Sequence, residues 1–314
     1  MANSKMSVGK IVGFTFLGLF VLIFLSGSCF FIGFIGGSIG LGGKSSSIIS
    51  ASANSIYEIR LEGTISASNS SGLLGGVAVT PESIIEQAVK AEKNPGVKAI
   101  LLRIDSGGGS AAASQEIFEE LKKIKKPIVV SVSDICASGA YYIACAADKI
   151  VANKASSVGS IGVILQIPNL EELYKKVGIK YTTIKQGKYK DVGSSDRPLT
   201  AEEEQLLQAQ TEKIYEQFIK DVAESRKIPV EKVREIATGW VYIGTEALDL
   251  GLIDKIGTYK DAEKLAAELG GIKGEPNIIG AAQASIWDTV LRYFFNQSIS
   301  KIVNIDNLAN PQIK

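Results

Sequence analysis

Apolar and polar positions follow different rhythms in different parts of this chain, and the changes of rhythm divide it. From Ile11 to Gly43 no residue is charged, and Ile11–Leu25 together with Phe30–Ile35 is almost continuously apolar. A membrane-spanning helix needs about 20 apolar residues, a signal-peptide core only roughly 7–15. Residues 11–35 therefore predict a transmembrane signal anchor, with a cleaved secretory signal as the alternative. Lys5 and Lys10 precede the stretch, so the positive-inside rule holds residues 1–10 in the cytoplasm and carries the rest across the membrane. Residues 36–54, rich in Gly and Ser, read as a flexible linker. Within it Gly40-Leu-Gly-Gly-Lys-Ser45 imitates a phosphate loop, but that motif needs glycine where Ser38 stands.

After residue 55 the pattern switches between strand and helix periods. Ile56–Leu61 alternates apolar with polar residues and runs into Glu-Gly, which predicts a strand and a turn. Thr80-Pro81 reads as a helix start, a cap residue followed by proline at the first helical position. Lys98–Ile104, Pro127–Val132 and Lys149–Ala152 are short apolar runs, the first two followed by helical segments, one of them spanning Ser114 to Lys125. Apolar strands separated by helices predict a mostly parallel sheet covered on both faces. Thr200-Ala-Glu-Glu203 fits a capping box, and Leu207, Ile214, Phe218 and Val222 then recur at helical spacing. The expected domain runs over 55–270. The tail, 271–314, carries a short apolar helix candidate at Ile286–Phe295.

Composition narrows the chemistry. Lys+Arg 34 against Asp+Glu 33 leaves a charge of +1 over 314 residues, which gives no electrostatic reason to expect nucleic acid. The sequence contains no histidine, which removes histidine-based triads and histidine metal sites together. Cys29, Cys136 and Cys145 are too few for a disulfide framework and leave one disulfide open; Leu25-Ser-Gly-Ser-Cys29 has a loose likeness to a lipoprotein cleavage site.

Two strand-to-helix junctions are candidates for chemistry. Asp105-Ser-Gly107-Gly-Gly-Ser110 is a glycine loop able to turn backbone N–H groups towards an oxygen, or simply a tight turn. In Asp134-Ile-Cys-Ala-Ser138-Gly139, the serine is flanked by small residues near a helix N-terminus, as either a nucleophile or a helix cap. A serine nucleophile here needs a base other than histidine, and a neutral lysine can serve. Lys188 and Lys190 lie in the glycine-bounded segment Gly187–Ser194, where the ordinary role of a lysine is a solvated surface charge.

The order of these segments resembles the signal peptide peptidase A family, membrane-anchored Ser–Lys peptidases with an α/β caseinolytic-protease/crotonase-like fold of repeated strand–helix units. The stretches that carry it are Glu62-Gly-Thr-Ile, Arg103-Ile-Asp-Ser-Gly-Gly-Gly, Ala137-Ser-Gly-Ala-Tyr-Tyr-Ile-Ala, Val158-Gly-Ser-Ile-Gly-Val, Gly187-Lys-Tyr-Lys-Asp-Val-Gly-Ser and Gly251-Leu-Ile-Asp. The resemblance puts the nucleophile on Ser138, the general base on Lys190, a lysine-orienting serine on Ser160, and oxyanion-hole N–H groups on Gly108 and Gly139. It implies extended hydrophobic peptides such as signal-peptide remnants as substrates, no cofactor and no metal, a homo-oligomer, and a cell-membrane location with the catalytic domain outside the cytoplasm. Three positions depart from the family pattern. Asp105 and Gly107 replace the usual Asn and Pro of the loop, and Trp240 stands where arginine is common. An acyl-CoA hydratase of the same fold, or an inactive membrane scaffold, are the competing readings.

Overall fold

The structure is a computed structural model that describes residues 54–68 and 78–280. The expected membrane anchor at 11–35 and the apolar helix at 286–295 lie outside those residues. Among the described residues no helix is long and apolar enough to cross a membrane.

The described residues form an eight-stranded sheet in the order β6-β5-β3-β2-β1-β8, with β4 also paired to β3 and β7 paired to β4. The strands are β1 (Ser55–Glu62), β2 (Val97–Ser106), β3 (Ile128–Ala137), β4 (Lys149–Ala152), β5 (Ser157–Gly159), β6 (Val241–Ile243), β7 (Lys255–Ile256) and β8 (Asn277–Gly280). The helices are α1 (Pro81–Lys93), α2 (Ala111–Leu121), α3 (Gly139–Ala144), α4 (Glu171–Lys176), α5 (Ala201–Arg226), α6 (Val230–Ile236), α7 (Gly244–Asp249) and α8 (Tyr259–Leu269). All pairings are parallel except that of β5 with β6. β8 pairs with β1, so the sheet takes in residues beyond the expected boundary at 270.

The continuous apolar character of the central strands has a direct cause: both faces of the sheet are buried. Ile100, Leu102 and Ile104 of β2 join Ile59, Leu61, Ile117 and Phe118 in the larger core. Ala99 and Leu101, one step out of phase, pack with Val129, Ala262 and Ala266 on the other face. The alanines of α8 let that helix lie close to the strands. Cys136 and Cys145 are buried and unbridged.

β3 is longer than the apolar run Pro127–Val132 suggests, because it continues through a bulge. Ile104 pairs with Val132 but Ser106 pairs with Cys136, so three β3 residues face one residue of β2. Two charged side chains of β2 fill the irregularity. Arg103 donates from Nη1 to Ser131 Oγ at 2.7 Å and from Nη2 to Ser133 Oγ at 2.9 Å. Asp105 Oδ1 accepts the Ile135 N–H at 3.2 Å. The extra residues re-aim the end of β3, so that its first half pairs with β4 and its last three residues pair with β5. Ser138 is the next residue.

Candidate active site

Ser138 stands at the sharp turn between β3 and α3 with φ 52° and ψ −125°. That backbone region is costly for a residue with a side chain, on the order of 1–3 kcal/mol, and persists only where its surroundings enforce it. They do so here from both sides. The Ser138 N–H donates to the Gly159 carbonyl at 2.8 Å, and its own carbonyl accepts the Tyr142 N–H at 3.0 Å. The hydroxyl makes no capping hydrogen bond to α3, so the helix-cap role does not account for this serine.

α3 itself is locked. The Tyr142 ring lies between Phe118 of α2 and Phe218 of α5, with centroids 4.9 and 4.7 Å away. Its hydroxyl donates to Asp221 Oδ2 in a short bond, and Gln217 Nε2 donates to both oxygens of the same carboxylate at 2.9 Å. Burial, and then the bond to Asp221, push the Tyr142 phenol well above its ordinary range. A rigid helix thus holds the serine that begins it.

The glycine loop approaches so closely that side chains are excluded. Gly108 has φ +95°, and a Cβ on it would come within 2.6 Å of Gly139 N and 2.9 Å of Ser138 Cβ. A Cβ on Gly139 would meet Ser114 Oγ at 2.3 Å and lie 3.5 Å from Gly109 N. Gly108, an expected oxyanion donor, spends its N–H inside the loop, on Ser106 Oγ at 3.1 Å. Gly109 instead lines the cavity beside Ser138 and Gly139. Three consecutive glycines give no internal signal in the sequence of which N–H is engaged within the loop. Asp105, at the β3 bulge, has its carboxylate engaged by the Ile135 N–H.

The cavity holds about 1070 Å³ and is lined by Ser138, Gly139, Ser160, Gly107 and Gly109, with one wall from α5. Ser160, also at positive φ (49°), donates its N–H to the Trp240 carbonyl at 2.8 Å and its hydroxyl to the Gly239 carbonyl at 3.1 Å. Trp240 is 66% exposed and meets Ser160 through its backbone carbonyl. Ser138, Ser160 and Gly139 are therefore brought together. Lys190 is not among the residues lining the cavity; it lies on an exposed turn whose N–H donates to the Gly187 carbonyl at 3.2 Å. Lys188, two residues earlier, is committed to Glu202 by an ion pair of 2.5 Å, which holds its ammonium above the usual lysine range.

Known proteins are similar to this chain in sequence. The profile of peptidase family S49 matches residues 120–273, and that of Clp protease matches residues 77–158, the stretch that holds β2, β3 and Ser138. A Synechocystis sp. protein named as protease slr0021 is 44% identical over 200 residues, covering 63% of this chain and 72% of that one. The chloroplastic serine protease SPPA of Arabidopsis thaliana is 38% identical, over 68% of this chain but 32% of its own length. The signal peptide peptidase SppA of Enterococcus faecium is 34% identical, over 68% of this chain and 62% of its own length. The mixed sheet is thus of the Clp protease type, and the strained serine beside a glycine loop falls within matched segments. The chain belongs to peptidase family S49, the signal peptide peptidase A family of serine peptidases.

Proposed function

We propose that this protein is a membrane-anchored serine endopeptidase that hydrolyses extended peptides, cleaved signal peptides among them, through a Ser138–Lys190 dyad. The observation that carries the reading is Ser138 itself: strained, uncapped, at the head of a locked helix, and facing a cavity with glycine N–H groups beside it. Lys190 takes the proton from the Ser138 hydroxyl as Oγ attacks the substrate carbonyl. The N–H groups of Gly139 and Gly109 receive the developing oxyanion, where one such donor contributes on the order of 10²–10³ in rate. Lys190 then protonates the leaving amine, and water releases the acyl group from Ser138. Ser160 orients the lysine once its hydroxyl turns from Gly239.

Within one chain Lys190 stands outside the Ser138 cavity, so the dyad closes when a second copy supplies the lysine. Exposed apolar side chains favour this: Ile179 and Ile184 near Lys190, and Ile164 and Leu165 further back, are exposed, Ile164 and Ile184 at 85% and 93%. A closed homo-oligomer would cover these side chains and enclose the sites, admitting only extended chains. The uncharged 11–43 stretch behind Lys5 and Lys10 favours a single-pass anchor with the catalytic domain outside the cytoplasm. The test is hydrolysis of a fluorogenic hydrophobic peptide by Ser138→Ala, Lys190→Ala and a co-assembled mixture. Each variant alone is expected to be inactive, with activity restored in the mixture. Turnover by Ser138→Ala alone would refute the reading; an inactive mixture would refute sharing of the dyad between copies.

A further inference from the structure

Residues 181–190 are exposed throughout, so no core holds the turn that carries Lys190. Its own backbone bonds are few: Lys190 N–H to Gly187 O at 3.2 Å, Val192 N–H to Tyr189 O at 3.2 Å, and Ser194 N–H to Asp191 O at 3.1 Å. A general base needs better control than this, because a lysine side chain carries about 2 kcal/mol of rotamer entropy. Charge supplies it. The Lys185 ammonium bonds both the Lys188 carbonyl (3.1 Å) and the Asp191 carboxylate, bracketing residues 189 and 190. Arg197 grips Asp191 with Nε at 3.1 Å and Nη2 at 2.9 Å, and the Asp191 carbonyl with Nη2 at 3.3 Å. The same guanidinium makes a two-pronged pair with Glu203, at 2.7 and 2.8 Å.

Glu203 is also the third residue of α5, where its carboxylate accepts the Thr200 N–H at 2.9 Å and completes the capping box. The start of a 26-residue helix is thereby tied, through one arginine, to the residue next to Lys190. Exposed ion pairs usually contribute little, but forked pairs in a network with withdrawn carboxylates are the exception. The Asp191 and Glu203 side chains are only 14% and 6% exposed.

We propose that the Asp191–Arg197–Glu203 chain of ion pairs positions Lys190 for proton transfer, with Asp191 and Arg197 acting as positioning residues. This rests on the Ser–Lys reading above. The charged and titratable groups around the turn are Lys185, Lys188, Tyr189 and Asp191 on it, Asp196 and Arg197 after it, and Glu202 and Glu203 of α5. The two residues act on the base with opposite signs. Arg197→Gln removes a cation and leaves Asp191 less compensated, which favours the protonated lysine; Asp191→Asn removes an anion and favours the neutral one.

The experiment measures kcat, KM and the pH–kcat profile of the full-length protein in detergent with a fluorogenic hydrophobic peptide. The variants are Arg197→Gln, Asp191→Asn and Lys190→Ala, and thermal melting checks the fold of each. Both positioning variants are expected to lose kcat roughly 10–100-fold, as misplaced catalytic groups do, with KM within about 3-fold. The acid limb of the profile, which reports deprotonation of the base, moves to higher pH in Arg197→Gln and to lower pH in Asp191→Asn. Wild-type kcat and unmoved limbs in both, with Lys190→Ala inactive, would overturn the positioning role and leave the dyad standing. Full activity of Lys190→Ala would overturn the dyad, and the positioning role with it. If Arg197→Gln does not fold, Arg197→Lys keeps the charge and loses the fork; it is expected to lose kcat with an unmoved acid limb, and wild-type kcat would overturn the proposal.

Discussion

Gly108→Ala puts a methyl group into the narrowest gap of the site. The new Cβ would lie 2.6 Å from Gly139 N, whereas ordinary contact begins at 3.4 Å. The backbone of α3's first residue, or the glycine loop, must therefore give by roughly 0.8 Å. A shift of about 1 Å at a reacting group can cost ~10²-fold in rate, and at about 1.36 kcal/mol per tenfold this is about 2.7 kcal/mol of lost transition-state stabilisation. The φ of +95° at Gly108 adds strain of roughly 1–3 kcal/mol in stability. The assay pairs kcat/KM on a fluorogenic peptide with thermal melting. Gly271→Ala is the control: it has positive φ (+66°) but no heavy atom within 4 Å of its Cβ, so it loses stability and keeps kcat/KM. A Gly108→Ala enzyme that melts earlier yet keeps kcat/KM within about threefold of wild type would refute the link between the close approach and the geometry of Ser138.

Lys188→Ala removes an exposed pair with Glu202, of a kind that contributes little, and should keep most peptide turnover, whereas Lys190→Ala abolishes it. Equal losses in the two variants would contradict the assignment of the base. Ser160→Ala is expected to reduce kcat less than Ser138→Ala in the same assay, because water can replace an orienting hydrogen bond in part. Acid should loosen the 185–203 segment. Hydrogen bonds from Arg197 depress both Asp191 and Glu203, the latter to about 2 from 4.5, so their stabilisation is complete above about pH 4.5 and fades as pH falls towards 2. Melting temperature followed from pH 5 to 2 should drop more steeply for wild type than for Arg197→Gln.

The strands that bury both faces were legible from their apolar runs, and the starts of α1 and α5 from Thr80-Pro81 and Thr200–Glu203, because these are local effects. The limits appear where distant parts meet. Nothing in Pro127–Val132 announces that β3 continues to Ala137, since the continuation depends on Arg103 and Asp105 of another strand filling the bulge. Leu207 and Ile214 share a helical stripe with Phe218 and Val222, yet only the latter two are buried: Phe218 packs on Tyr142 of α3, whereas Ile214 faces the open cavity. At the site, the glycines and Ser138 were readable as motifs. The commitment of Gly108 to Ser106 and the separation of Lys190 from the Ser138 cavity depend on hydrogen bonds and topology that no motif encodes.

The central claim is that Ser138 is a nucleophile activated by Lys190, and covalent labelling with a serine-directed acylating probe tests it most directly. Peptide mapping of the labelled wild-type protein should find the acyl group on Ser138, with no adduct in Ser138→Ala and a rate lowered by orders of magnitude in Lys190→Ala. Acylation of Lys190→Ala at the wild-type rate, or peptide hydrolysis that survives in Ser138→Ala, would contradict it.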